Sequence, residues 1–264
     1  MKALKRVFLF ILAAAVIVIM GAYLFQEKFI FLPSKLPQEY VYDFDHDFEE
    51  LFIETEDGAR LNALHFKQEN PRGIIVYYHG NAGDLSRWGK VTSYFLQYNY
   101  EVLVMDYRTY GKSTGKLSEK ALYSDAQLFY DKAKELFPEG NIIVYGRSLG
   151  TAMAAYVASK NKPKKLILET PFYDFRKLVQ EKVPYLPIKL LKYDFPVAYF
   201  TDDVKCRIVI IHGTEDGVVP FEFGETLYKT LPEEQRSFVT VDGGKHNDLI
   251  NYQAYRLTIY KELL

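Results

Sequence analysis

The chain has 264 residues, 48% of them hydrophobic and 25% charged, with a formal net charge of -1. That is enough for one large domain with a sizeable core, and the near-neutral balance gives no electrostatic footprint for a nucleic-acid partner. The single cysteine, Cys206, excludes an intramolecular disulfide and a multi-cysteine metal centre, and beside the apolar run Ile208 to Ile211 it reads as a small, partly buried residue.

The chain opens on Val7 to Phe25, nineteen residues without a charge, with Lys2, Lys5 and Arg6 before it and Glu27 and Lys28 after it. At a helical rise of 1.5 Å per residue the run covers about 28 Å, enough to cross a bilayer core. A cleaved secretory signal is the competing reading, with a shorter apolar core and a small-x-small site at its end. Here Ala13-Ala14-Ala15 lies mid-run and only Gly21-Ala22 stands near the end, so the features favour an uncleaved signal anchor. Lysine and arginine favour the N-terminal flank by a small margin, since Lys28 and Lys35 follow. The N-terminus is therefore expected in the cytoplasm and the body on the outer side of a single-pass anchor. The expected organisation is a cytoplasmic tip and transmembrane anchor over residues 1–28, a juxtamembrane linker over 29–46 and a single large domain over 47–264. Phe29 to Tyr42 mixes aromatics with two prolines, which suits a collar at the membrane surface.

From Asp47 the pattern turns to alternation. Glu50 to Thr55 and Leu61 to Phe66 read as strands of a hairpin around Glu56-Asp57-Gly58-Ala59. Further strands are expected at Ile74–Tyr78, Val102–Asp106, Ile142–Tyr145, Lys165–Glu169, Ile208–Ile211 and Phe238–Val241. Helices are expected at Leu85–Tyr98, Ser118–Phe137, Ser148–Ser159, Glu222–Leu231 and Asp248–Leu263. Near-continuous apolar strands alternating with helices imply a mostly parallel sheet of about eight strands covered on both faces, entered through an antiparallel hairpin. Ligands gather at the carboxyl ends of such strands, and the polar, glycine-rich loops fall there: His79 to Asp84, Asp106 to Ser113, Gly146 to Gly150, Thr170 to Phe172, His212 to Asp216 and Gly243 to Asp248. Residues 171–205, with Phe172, Tyr173, Phe175, Tyr185, Tyr193 and Phe195, are neither strand nor clean amphipathic helix. They are open to two readings, a short aromatic cap over an apolar pocket or an irregular connection packed on the core.

Gly146-Arg147-Ser148-Leu149-Gly150, after an apolar strand and before the small residues Thr151 to Ala155, has the form of a nucleophile elbow that leaves the Ser148 hydroxyl exposed at a strained turn. A serine needs a base, and the base needs an orienting acid. Among five histidines, His46 and His65 read as surface or structural, and His79 and His212 as braces of His-Gly turns. His246, after the last strand and preceded by Gly243-Gly244, suits the base. Asp216 is the expected acid, with Glu215 as the neighbouring alternative. Oxyanion donors are expected from the backbone N–H groups of Leu149 and Asn81. Tyr110-Gly111-Lys112-Ser113 is not the end of a phosphate loop, because Asp106 stands where that loop requires glycine. The acidic run from Asp43 to Glu50 lacks the glycine and spacing of a calcium loop.

Five motifs together resemble the α/β-hydrolase superfamily and, within it, the BEM46-like serine hydrolases that include the α/β-hydrolase domain-containing 13 and 17 proteins. They are His79-Gly80-Asn81-Ala82-Gly83, Asp106-Tyr107-Arg108 with Tyr110-Gly111-Lys112-Ser113, Gly146-Arg147-Ser148-Leu149-Gly150, His212-Gly213-Thr214 with Asp216 and Val219-Pro220, and Gly244 with His246-Asn247-Asp248. The resemblance covers about Asp47 to the C-terminus and implies an α/β-hydrolase fold with a short cap; an N-terminal anchor also resembles this group. Thr109 departs from the group, which has glycine there.

The expectation is a membrane-attached serine hydrolase acting through an acyl-enzyme on a small-molecule or lipid-like acyl ester or thioester, with no cofactor and no metal. A peptidase or amidase of the same fold, and a silent membrane-attached binding protein, are the alternatives. Oligomeric state is not legible in the chain.

Overall fold

A computed structural model describes residues 2–264. The helix α1 (Lys2–Phe25) is followed by a single turn α2 (Glu27–Ile30) and a two-residue strand β1 (Leu32–Pro33). Leu4–Phe25 has a mean hydropathy of 2.8 and none of it is buried against the body, so by length and composition it is able to cross a membrane.

The body is built on β2 (Phe48–Glu54), β3 (Arg60–Phe66), β4 (Ile74–Tyr78), β6 (Glu101–Met105), β7 (Ile142–Arg147), β8 (Lys165–Glu169), β9 (Arg207–Gly213) and β10 (Arg236–Val241); the short β5 (Ala82–Gly83) lies outside this sheet. The order is β10-β9-β8-β7-β4-β6-β3-β2. β2 and β3 pair antiparallel around a turn closed by Gly58 at φ +80°, β3 joins β6 antiparallel, and every other pair is parallel. The apolar runs are continuous because both faces are covered. Ile74, Val76 and Tyr78 of β4 pack into one cluster with α4 (Glu119–Leu136), α5 (Gly150–Lys160) and α8 (Phe221–Thr230). Ile75 and Tyr77 face the other cluster with α3 (Leu85–Thr92) and α9 (Gln253–Leu263).

Three expected helices are shorter than the pattern suggested. α3 ends at Thr92, whose hydroxyl bonds back to the carbonyls of Trp88 (2.9 Å) and Gly89 (3.2 Å), and the chain tightens into a 3₁₀ segment, Ser93–Tyr98. The helix after the elbow starts at Gly150, because Ser148 sits at φ +51°, outside the right-handed helical region. The last one divides into a 3₁₀ turn, Leu249–Asn251, and α9.

Between β8 and β9 lie α6 (Phe175–Lys182), capped by the Asp174 side chain, a 3₁₀ turn at Ile188–Leu190 and α7 (Val197–Thr201). Phe172, Tyr193 and Phe195 are buried in the core, as a connection packed on it would place them, whereas Tyr185 is 98% exposed. The stretch after the apolar helix returns to the body. β1 pairs in parallel with β5, Leu32 opposite Ala82 and Pro33 opposite Gly83.

Candidate active site

The elbow is set by sterics at two glycines. A Cβ on Gly150 would overlap the carbonyl of Tyr78 in β4, and one on Gly146 would stand 2.5 Å from the Gly150 carbonyl oxygen and 2.6 Å from the Ala154 Cβ. Only glycine lets β7 turn into α5 that closely. Ser148 is held in its left-handed conformation by its own N–H, which donates to the Glu169 carbonyl at 2.9 Å, and by its carbonyl, which accepts from the Thr151 hydroxyl at 2.6 Å.

Three side chains separated by up to 98 positions meet at this turn. His246 Nε2 lies 2.9 Å from Ser148 Oγ, and His246 Nδ1 lies 2.7 Å from Asp216 Oδ2. Ser148 and His246 are each 9% exposed, so the contact between them is screened from water. The other Asp216 oxygen, Oδ1, accepts from the backbone N–H groups of Val218 (2.8 Å) and Val219 (2.9 Å). Burial works against the charge on Asp216. Hydrogen bonds from His212 and His246, with the Val219 N–H, outweigh it and hold the carboxyl well below the usual carboxylate range. Glu215, the alternative acid, is exposed to solvent. Chemically, the arrangement keeps an ionised acid against one imidazole nitrogen and a hydroxyl against the other, a geometry able to draw a proton off a serine.

Asn81 and Leu149 stand where the sequence places them, at the end of β4 and directly after Ser148. Among the described residues neither backbone N–H has a hydrogen-bond partner. His46 is exposed, and three other histidines hold structure. His79, fully buried, has Nδ1 2.6 Å from the Gly80 carbonyl and stacks on Trp88. His65, expected as surface or structural, is buried and lies 2.7 Å from Glu101. His212 Nε2 lies 3.0 Å from the Val219 carbonyl and 3.3 Å from Asp216 Oδ2, so it braces the loop that carries Asp216.

Two residues of the quoted motifs to which the sequence reading assigned no role touch the site. The guanidinium of Arg147 donates to the His246 carbonyl at 3.0 Å. The Tyr110 hydroxyl donates to Asn81, with both the carbonyl oxygen and Oδ1 at 2.7 Å. Thr109, the departure from the group, has φ +72° and a buried hydroxyl without a partner among the described residues. The left-handed backbone explains why glycine is suited to this position.

An eight-stranded α/β sheet with a serine on the strand-to-helix turn is the architecture of an α/β-hydrolase, and comparison with known proteins agrees. The family model described as "Serine aminopeptidase, S33" matches residues 69–201. An uncharacterized protein of Mycobacterium tuberculosis is 30% identical over 237 residues, covering 88% of this chain and 84% of that one. The alpha/beta hydrolase domain-containing protein 17C of Mus musculus is 31% identical over 216 residues, covering 78% of this chain and 65% of that protein, so this chain spans a little under two thirds of its length. Among solved structures, an esterase of Pyrococcus furiosus superposes with a TM-score of 0.68 at 20% identity, covering 89% of this chain and 96% of that one. A monoacylglycerol lipase of Paleococcus ferrophilus superposes with a TM-score of 0.59 at 17% identity, covering 77% and 98%. The chain belongs to this family of α/β-hydrolases, and the alpha/beta hydrolase domain-containing 17 proteins are among its relatives. It is a hydrolase of that kind.

Proposed function

We propose that the protein is a membrane-anchored serine hydrolase that cleaves an acyl ester or thioester through an acyl-enzyme. The observation that carries this reading is the continuous chain Ser148 Oγ, His246 Nε2, His246 Nδ1, Asp216 Oδ2, with links of 2.9 and 2.7 Å. Ser148 Oγ attacks the acyl carbon as its proton passes to His246 Nε2. The imidazolium so formed is held by the Asp216 carboxylate. The carbonyl oxygen becomes an oxyanion against the N–H groups of Leu149 and Asn81, with the positive end of α5 behind it. Collapse expels the alcohol or thiol, which takes the proton from His246. Water then attacks the acyl-Ser148 ester by the same route in reverse. No cofactor or metal enters these steps.

The likeness to an esterase and to a monoacylglycerol lipase supports the choice of acyl esters. Residues 1–28 anchor the protein with the N-terminus in the cytoplasm, residues 29–46 link it, and residues 47–264 form the catalytic domain outside, with the cap at about 171–205. The family description favours a second reading, hydrolysis of aminoacyl amides by the same residues. A silent binding protein has no need of the three aligned side chains.

The test is labelling of the full-length protein in detergent with a fluorophosphonate. Labelling that disappears in Ser148→Ala supports the reading, and an unlabelled wild-type protein would sink it. A panel of short and long acyl esters, thioesters and aminoacyl amides then ranks the substrate classes.

A further inference from the structure

The stretch between the apolar helix and the first long strand is tied to both sides of the candidate site. On one side it meets the loop of Asn81. β1 pairs with β5, whose residues directly follow Asn81. The Ser34 N–H donates to the Gly83 carbonyl at 3.1 Å, the Ser34 carbonyl accepts from the Gly111 N–H at 2.8 Å, and the Gly111 carbonyl accepts from the Leu36 N–H at 3.0 Å. The side chain of Asn81 is engaged by the same stretch. Its Nδ2 donates to the Ile30 carbonyl at 2.5 Å, and its Oδ1 accepts from the Leu32 N–H at 3.3 Å and from the Tyr110 hydroxyl at 2.7 Å. This is a demand for asparagine in particular. One planar amide must offer a donor to Ile30 and an acceptor to Leu32, and a carboxylate would face the Ile30 carbonyl with a second oxygen.

On the other side the stretch meets the segment after β8. Phe31 is 2% exposed and lies edge-on to Tyr193, with ring centroids 4.9 Å apart, and to Phe195 at 6.4 Å. Gln26 donates to the Leu190 carbonyl at 3.3 Å and accepts from the Lys192 N–H at 2.8 Å, while Lys192 pairs with Glu27 at 3.0 Å.

We propose that residues 30–36 are a positioning strap for the oxyanion hole. By holding the Asn81 side chain, the strap fixes the direction of the Asn81 backbone N–H, and Phe31 fixes the strap. Tyr110 is the partner positioning residue from within the domain. The proposal rests on the reading of Asn81 as an oxyanion donor. It adds that the chain leaving the membrane helix is a working part of the site, so attachment and catalysis share one structural element. An N–H displaced by a fraction of an ångström contributes less to a transition state in which charge develops at a fixed point, and the loss falls on turnover rather than on binding.

The test uses the full-length protein in detergent micelles with a water-soluble p-nitrophenyl ester. Three variants interrupt the linkage at different points: Asn81→Asp, which keeps the backbone N–H but removes the donor to Ile30; Tyr110→Phe; and Phe31→Leu, which keeps an apolar plug while losing the aromatic contacts. Each is expected to lower kcat by about tenfold or more with KM changed by less than about threefold, and to slow fluorophosphonate labelling in parallel. The double variant Asn81→Asp with Phe31→Leu is expected to be no slower than the slower single variant, because both break one linkage. A melting temperature measured on each variant separates loss of folding from loss of positioning, and Tyr110→Phe is the mildest of the three should another fail to fold. A labelled wild type whose three variants turn over at the wild-type kcat overturns the strap alone. An unlabelled wild type overturns the hydrolase reading, and the strap falls with it.

Discussion

The guanidinium of Arg147 donates a hydrogen bond of 3.0 Å to the backbone carbonyl of His246, joining the residue before the proposed nucleophile to the loop that carries the proposed base. The same nitrogen reaches Asn247 Oδ1 at 3.2 Å, and Arg147 Nε lies 3.2 Å from Glu169 Oε1 on the adjacent strand. Glu169 in turn accepts from the Tyr145 hydroxyl at 2.6 Å. Arg147 and Glu169 are both buried, so the pair is held away from water, and the fork of the guanidinium sets the loop's distance from β7.

Replacing Arg147 with methionine therefore has two effects. It leaves Glu169 buried without its cation, which costs about 3 kcal/mol of stability, and it frees the His246 loop. Arg147→Met should lower kcat by about tenfold with a smaller change in KM. Arg147→Lys should fall between the two, since one ammonium cannot reach the carbonyl and the carboxylate in the same geometry. Steady-state kinetics and thermal unfolding of both variants check this.

Asp216→Asn keeps the shape and removes the charge that holds the imidazole. By analogy with other triads, kcat should drop by about 10³-fold or more while the fold survives. The pH dependence of stability gives a second readout. Asp216 has a folded-state pKa depressed below its unfolded value, so its contribution is present above the unfolded value of about 3.9 and is lost as pH falls towards the folded one. The gap in melting temperature between wild type and Asp216→Asn should be full near neutrality and narrow as pH is taken below about 4. A gap that widens in acid contradicts the assignment.

Gly150→Ala drives a methyl group into the Tyr78 carbonyl at the centre of the sheet. Neither strand nor helix has room to yield, so the variant should lose about 3 kcal/mol or more and most of its activity. Chemical denaturation of the purified variant measures the loss.

Thr109→Gly should do the reverse. A β-branched residue at φ +72° is strained, and its buried hydroxyl has no partner among the described residues. Glycine removes both penalties, offset in part by the greater freedom of the unfolded chain, for a net gain of about 1 kcal/mol. An unchanged or lowered melting temperature would show that the loop accommodates threonine without cost.

Much of the fold was legible because its signals are local. Apolar runs of four to six residues, each followed by a glycine-rich polar loop, read as buried parallel strands, and the observed strands fall within about two residues of those expected. Helix ends were less legible. The stop of α3 at Thr92 and the start of α5 at Gly150 depend on a hydroxyl bonding backwards and on a left-handed serine. Ser148, Asp216 and His246 were chosen from motif and order, and the fold brings their side chains together. Arg147, Tyr110 and the strap were not legible, since their contacts join residues from 29 to 99 positions apart and no spacing rule records which loops will meet.

What this sequence determined by itself was therefore the kind of fold and the positions around which it is built. Period-two and near-continuous apolar patterns choose strands, glycines mark the turns that tolerate no Cβ, and the order of serine, aspartate and histidine follows from the strand ends they occupy. What only the tertiary structure decided was the connection between them: the Arg147 bridge to the base loop, His212 behind Asp216, and residues 30–36 folded back onto Asn81. Those contacts form because the sheet brings distant loops to one edge, where each buried donor and acceptor must find a partner among whatever groups arrive there.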